Sequence, residues 1–270
     1  MRVACIQLNT QDDKTANLRA AAALLAKAAE AGARLAALPE TWSYKGSARG
    51  ISENAEDLEG PSCRAMSAAA EKHGMYVLAG SFYERTSETG RSYNTSVLFG
   101  PDGARLAVYR KIHMFDAVSG ERVYRESQYQ LPGADVVTAT VDDVVAGLSI
   151  CYDLRFPELY LSLALRGARV FLVPSAFTAF TGAAHWEVLV RARAIENGCF
   201  VVAPDQVGFH AGRRECHGHS MIVDPWGRIL AEVERGTGIC VAEVDLSLVH
   251  EARENIPSLQ HRRPELYGLT

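Results

Sequence analysis

Three residue types that could share one reaction each stand just beyond an apolar, strand-like run. Cys151 follows Val144-Val145-Ala146-Gly147-Leu148-Ser149-Ile150 and precedes a helix start signalled by Phe156-Pro157-Glu158. A thiol at such a junction meets the positive end of a helix dipole, which favours the thiolate, the nucleophilic form used in covalent catalysis. Glu40 closes Leu38-Pro39-Glu40, and Lys111 closes Leu106-Ala107-Val108-Tyr109-Arg110-Lys111. In open α/β sheets, sites form outside the carboxyl ends of strands, so three strands could deliver a carboxylate, an amine and a thiol to one crevice. Taken singly, each has a plainer explanation. Cysteine commonly packs as a small hydrophobe, Glu40 could be a solvated loop acid, and Lys111 beside Arg110 could be ordinary charged surface.

The elements that must position these groups alternate along the chain. A strand is predicted from Val3 to Leu8, then an alanine-rich helix from about Thr15 to Ala31 ended by Gly32. A strand over Arg34–Leu38 stops at Pro39. A helix over Ser62–His73, ended by Gly74, leads into a strand over Met75–Gly80. Strands Tyr93–Phe99 and Arg105–Tyr109 are joined by the turn Pro101-Asp102-Gly103. From Lys111 to Gln130 periodicity fails, which predicts a functional loop. Beyond Cys151, Arg169–Val173 reads as a strand and His185–Glu196 as a helix. That helix has Trp186, Leu189, Val190 and Ala194 on one face and Glu187 placed to pair with Arg191. Strands follow at Cys199–Ala203, Ser220–Asp224, Ile229–Val233 and Ile239–Val244. No linker, repeat or low-complexity tract interrupts the pattern. The expectation is one α/β domain over residues 1–270, with helices covering sheet faces.

Composition narrows the function. The 270 residues are 48% hydrophobic with a formal net charge of −4 and no basic block, which argues against a nucleic-acid partner. The chain enters a strand at once, without a leader, and holds no run long enough to span a bilayer, so no membrane association is expected. Six scattered cysteines without a C-x-x-C pair suit a reduced, cytoplasmic protein. Cys216-His217-Gly218-His219 has zinc-ligand residue types but lacks a second ligand group at standard spacing, and His219 reads as the start of a strand. No metal is expected there. A Cys–His pair using His113 or His185 is an alternative arrangement, weakened by the strand-end Glu and Lys.

The motifs Leu38-Pro39-Glu40, Tyr109-Arg110-Lys111-Ile112-His113 and Cys151-Tyr152-Asp153-Leu154-Arg155-Phe156-Pro157-Glu158, in this order, resemble those of the nitrilase, or carbon–nitrogen hydrolase, superfamily. The resemblance covers nearly the whole chain. It implies a four-layer α-β-β-α sandwich, a Glu40-Lys111-Cys151 triad and assembly into a homodimer or larger even-numbered oligomer. A second glutamate of the family matches Glu126 best, with Glu121 as the weaker match. Under the implied mechanism Cys151 attacks an amide carbon, while Lys111 and the Tyr152 backbone N–H hold the oxyanion. Glu40 moves protons, and Glu126 keeps Lys111 charged and oriented. No cofactor is implied. Within the superfamily the nearest likeness is to deaminated glutathione amidases, then omega-amidases, so the expected substrate is a small keto-acid amide. The tail His261-Arg262-Arg263-Pro264-Glu265-Leu266-Tyr267 favours the former. Arg155 suits a carboxylate clamp, or else a structural ion pair with Asp153 or Glu158. Phe177 and Thr181 are implied to shape the pocket. The chain departs from the family pattern at Ala183 and Val207, which touches fine specificity only. A catalytically silent metabolite-binding or scaffold protein is the contrasting expectation.

Overall fold

Alternation inside short apolar runs sorts each strand's side chains onto two faces, and here both faces are buried. On the strand Arg2–Gln7, Val3 and Cys5 enter a core shared by two sheets, whereas Ala4 and Ile6 meet helices on the opposite side. In the second sheet Leu148, Leu172, Val202 and Ile222 face that shared core, while Phe171, Val173, Val201 and Val223 face outward onto helices. Strands buried on both faces read as continuous apolar runs, which explains why the sequence shows little period-2 contrast. The computed structural model describes residues 1–270 except Thr89, Gly120, Gly212, Arg213 and residues 268–270.

The first sheet runs, in spatial order, Gly238–Glu243, Arg2–Gln7, Leu35–Ala37, Tyr76–Leu78, Ser92–Phe99 and Phe82–Arg85; Arg105–Arg110 and Gln130–Leu131 also pair with Ser92–Phe99. The second runs Thr138–Val141, Val144–Leu148, Val170–Leu172, Phe200–Ala203, Ser220–Val223 and Ile229–Val233. At each centre three strands are parallel, with helices supplying the crossovers. Helices Lys14–Glu30 and Pro61–His73 cover the first sheet, burying Leu24, Leu25 and Ala28 beside Cys63, Met66 and Ala70. Helices Pro157–Leu165 and Ala179–Asn197 cover the second, burying Leu159, Leu163, Trp186 and Val190. The result is the α-β-β-α sandwich, with one core between the sheets and one under each helical layer. Among the described residues no helix is long and apolar enough to cross a membrane.

Four local readings need correction. The helix predicted from His185 begins at Ala179, because Thr178 caps it by accepting from the Thr181 N–H. Its early turn is obscured by Gly182, where a Cβ would fall 2.3 Å from the His217 side chain. The expected loop from Lys111 to Gln130 contains a hairpin, Asp116–Ser119 with Arg122–Arg125, pairing Asp116 with Arg125 and Val118 with Val123. A second unexpected hairpin pairs Val207–His210 with Arg214–His217. Both are short and polar, so their strand signal is weak. His219 has φ +57 and precedes its strand, which opens at Ser220. The α-helix opens at Pro157, where Phe156-Pro157-Glu158 signalled it, and Cys151–Arg155 before it forms a 3-10 turn.

Candidate active site

The two sheets bring their carboxyl ends together, and each of the three reactive residues stands on one of those ends. Glu40 lies beyond Leu35–Ala37, and its N–H donates to the Ser175 carbonyl of the second sheet at 3.2 Å. The chain can turn there because Gly80, at φ +44, lies against Pro39; a Cβ on Gly80 would fall 2.0 Å from the Pro39 carbonyl oxygen. Lys111 follows Arg105–Arg110, with its N–H bound to the Asn94 carbonyl at 2.9 Å and its own carbonyl accepting from Gly133 at 2.8 Å.

Cys151 is held more tightly still. Its N–H donates to the Pro174 carbonyl at 2.9 Å, and its φ of +48 is a left-handed conformation that non-glycine residues seldom adopt. The fully buried Asp153 fixes this turn. Its carboxylate accepts from the Ile150 N–H at 2.8 Å, the Tyr109 hydroxyl at 2.6 Å and the His113 N–H at 3.1 Å. Asp153 thus ties the Cys151 turn to the strand end that carries Lys111.

Lys111 is the centre of the charge network. Its Nζ donates to Glu40 Oε1 at 2.9 Å and to Glu126 Oε1 and Oε2 at 2.8 and 2.9 Å. Asn94 Nδ2 donates to the same Glu40 oxygen at 2.7 Å, and the Phe115 N–H holds Glu126 Oε2 at 2.5 Å. Burial opposes the charge on Lys111, but Glu126 and then Glu40 outweigh it and hold the ammonium charged well beyond the ordinary lysine range. Burial would likewise raise Glu40. Lys111, Lys45 and the Cys151 thiol overcome it and leave this carboxylate below its usual value. Glu126 moves the other way: burial and the charge of Glu40 lift it despite Lys111.

Cys151 corrects the expectation of a helix-stabilised thiolate. Burial first, then the facing Glu40 carboxylate, push its thiol well above the ordinary range, with Lys111 and the Ala176 N–H only partly offsetting them. The dipole argument fails because the α-helix begins at Pro157, six residues on, and Asp153 places a carboxylate in the intervening turn. The resting arrangement is therefore a thiol beside an ionised base, with an ammonium locked between two carboxylates.

These groups open onto a cavity of about 500 Å³ lined by Glu40, Lys111, Glu126, Cys151, Tyr152, Arg155, Phe177 and Thr181 among others. Apart from Glu121, the residues singled out from the sequence as triad, accessory or pocket members share one wall or another of it. Glu121 does not line it and stands exposed in the hairpin turn. The Arg155 guanidinium lies 5.3 Å from the Phe177 ring centre and 3.3 Å from His185 Nδ1. Among the described residues it pairs with neither Asp153 nor Glu158, so the structural ion pair is absent there. His113 is taken up by Asp153 at 2.8 Å and stacks on Phe156 with ring centres 3.6 Å apart; His185 contacts Arg155. Among the described residues no cluster of three His, Cys, Asp or Glu side chains could hold a metal, including around Cys216.

Known proteins share this arrangement of sheets. Residues 2–254 match the carbon-nitrogen hydrolase family. The chain belongs to that family. Across 263 residues it is 41% identical to the deaminated glutathione amidase of a Synechocystis strain, covering 96% of this chain and 97% of the relative. A solved Saccharomyces cerevisiae member of branch 10 of the nitrilase superfamily superposes with a TM-score of 0.88 at 32% identity, covering 97% of this chain and 96% of that one. A mutant amidase from Nesterenkonia sp. AN1 superposes with a TM-score of 0.83 at 26% identity, covering 98% of both chains. Its active-site cysteine bears the product of Michael addition of acrylamide. As a family member the chain is a carbon–nitrogen hydrolase.

Some members of the site escaped the sequence. Asp153 stood out only as a possible partner for Arg155, although an acid two residues beyond a strand-end cysteine is placed to cap the turn. Asn94 lies inside a strand, where a buried amide gives no local signal, and reaches Glu40 only through the fold. Gln206 binds the Glu40 carbonyl at 2.9 Å across a sequence gap of 166 residues. Lys45, another lining residue, reads as loop in the sequence.

Proposed function

We propose that the chain is a cysteine-dependent amidohydrolase that cleaves deaminated glutathione to 2-oxoglutarate and cysteinylglycine. Glu40 accepts the thiol proton as Cys151 Sγ bonds to the amide carbon, and the carbonyl π electrons move onto oxygen. Lys111 and the Tyr152 N–H stabilise that oxyanion. Glu40 returns the proton to the departing amine as the carbon–nitrogen bond breaks, leaving a thioester. It then deprotonates the water that attacks the thioester, and the thiol is restored. Glu126 keeps Lys111 charged and aimed. The raised Cys151 pKa fits this scheme, because the proton must leave during attack and an ionised acceptor is already beside it.

The observation that carries the substrate class is Arg155. It lines the same cavity as Cys151, has no carboxylate partner among the described residues, and lies over Phe177, one face of a site suited to a keto-acid carboxylate. The relatives' activity supports the same choice. Phe177, Tyr152 and Thr181 form the apolar and hydroxyl walls around it. The test is a substrate panel: deaminated glutathione should be hydrolysed faster than 2-oxoglutaramate, and neutral aliphatic nitriles left untouched. A clear preference for 2-oxoglutaramate would make the protein an omega-amidase, and binding without turnover would make it a silent metabolite-binding or scaffold protein.

We also propose that residues 1–270 act as one catalytic domain in a homodimer or larger even-numbered oligomer. Val188 and Ile195 on the second sheet's helix, and Leu266 and Tyr267 in the tail, are large apolar side chains left exposed in one copy. Light scattering should give at least twice the chain mass of 29.4 kDa. No disulfide joins the six cysteines, which suits a reducing compartment such as the cytoplasm.

A further inference from the structure

The proposed substrate has two carboxylates, and Arg155 serves one of them. The cavity carries more positive charge than that task needs. Lys45, Arg122 and Arg125 also line it, whereas Lys111 is neutralised by Glu40 and Glu126, and Glu215 is the one other lining acid among the described residues. Arg125 is partly spent on its own strand, donating to the Tyr124 carbonyl.

Lys45 is different. Its backbone is fixed by an N–H bond to the Gln11 carbonyl at 3.0 Å, and its side chain is half-buried at the cavity wall. Among the described residues no ion pair to Lys45 is found, although its field reaches Glu40. An ammonium at the cavity wall with no ion pair among the described residues is free to take an anion that arrives with the substrate. Arg122 opens the second strand of the Arg122–Arg125 hairpin and likewise has no acidic partner among the described residues. Arg122 alone, being exposed, would be ordinary surface.

We propose that Lys45, assisted by Arg122, forms a second anion subsite that receives the C-terminal carboxylate of the leaving group. The inference rests on the substrate reading above and adds a site to it. An extended dipeptide spans about 7 Å, which fits a cavity of about 500 Å³ that must also hold the keto acid. Arg155 then sets the acyl side and Lys45 the amine side, with the scissile amide over Cys151. Amides that release a carboxylate-bearing amine gain this contact, whereas amides that release ammonia do not.

The test compares deaminated glutathione with the same compound carrying a C-terminal glycinamide, so that only the distal charge changes. For the unmodified protein, kcat/KM should favour the acid over the amide by about tenfold or more, as expected of a charge-assisted contact. In Lys45→Met/Arg122→Met that ratio should fall to about one, and Lys45→Arg should restore most of it. The ratio is insensitive to any change that Lys45→Met makes through Glu40, since both substrates share the chemical step. Equal rates on acid and amide in the unmodified protein, or an unchanged ratio in the double variant, would overturn the subsite and leave the parent substrate intact. Hydrolysis of neither compound would overturn both.

Discussion

The turn at Cys151 and the hairpin Asp116–Arg125 bound the same cavity but are built on opposite terms. The turn is anchored from every side: Pro174 takes its N–H, and the buried Asp153 collects Ile150, Tyr109 and His113. Among the described residues the hairpin is two four-residue strands paired only with each other, and its apolar pair Val118 and Val123 is 68% and 61% exposed. Reacting atoms need placement within fractions of an ångström, which packed sheet ends supply. A peripheral hairpin can change its side chains without disturbing the core, which suits it to selecting substrates. Glu126 joins the two regions, since it directly follows the hairpin yet binds Lys111.

Breaking the anchored side should give the largest effects. Cys151→Ala should abolish amide hydrolysis while circular dichroism and melting stay near those of the unmodified protein. Lys111→Met should lower kcat by at least ~10²–10³, the usual cost of one lost oxyanion donor; it also leaves Glu40 and Glu126 facing each other unpaired, which a lowered melting temperature would report. Asp153→Ala removes the partner of four hydrogen bonds at a fully buried site and should destabilise the fold by roughly 1–3 kcal/mol in denaturant titration, with kcat falling alongside. On the hairpin, Val123→Ala should change stability by no more than about 0.5 kcal/mol, as for most exposed positions, and act on KM instead. A hairpin change that matched Asp153→Ala in stability would erase the contrast.

The pH profile sharpens the same comparison. Glu40 is held below its usual pKa, so its ionised form contributes stability and activity above the ordinary glutamate value, and both are lost only as pH falls through the lowered one. The acid limb of kcat/KM should therefore lie below about 4.3, the reference glutamate pKa. A limb above that value that Glu126→Gln leaves in place would mean that burial defeats Lys111 and Lys45.

The anchored side was also the more legible side in the sequence. Glu40, Lys111 and Cys151 follow apolar runs directly, and strand ends on neighbouring elements converge in this architecture. The hairpin escaped notice because four-residue strands of mixed polarity carry almost no periodic signal. Asn94 and Gln206 escaped for another reason: their contacts with Glu40 span 54 and 166 residues and exist only once the sheets have packed. The thiol's pKa was misjudged because its burial and the facing Glu40 carboxylate, which dominate it, exist only once the two sheets have packed.

The most direct test of the central claim is intact-protein mass spectrometry of Glu40→Gln mixed with deaminated glutathione. If Cys151 is the nucleophile and Glu40 the base for deacylation, any thioester that forms should persist. The spectrum should then show a mass gain of one 2-oxoglutaryl group, located at Cys151 by peptide mapping and absent from Cys151→Ala. An adduct on another residue, or steady turnover by Cys151→Ala, would contradict covalent catalysis at this site.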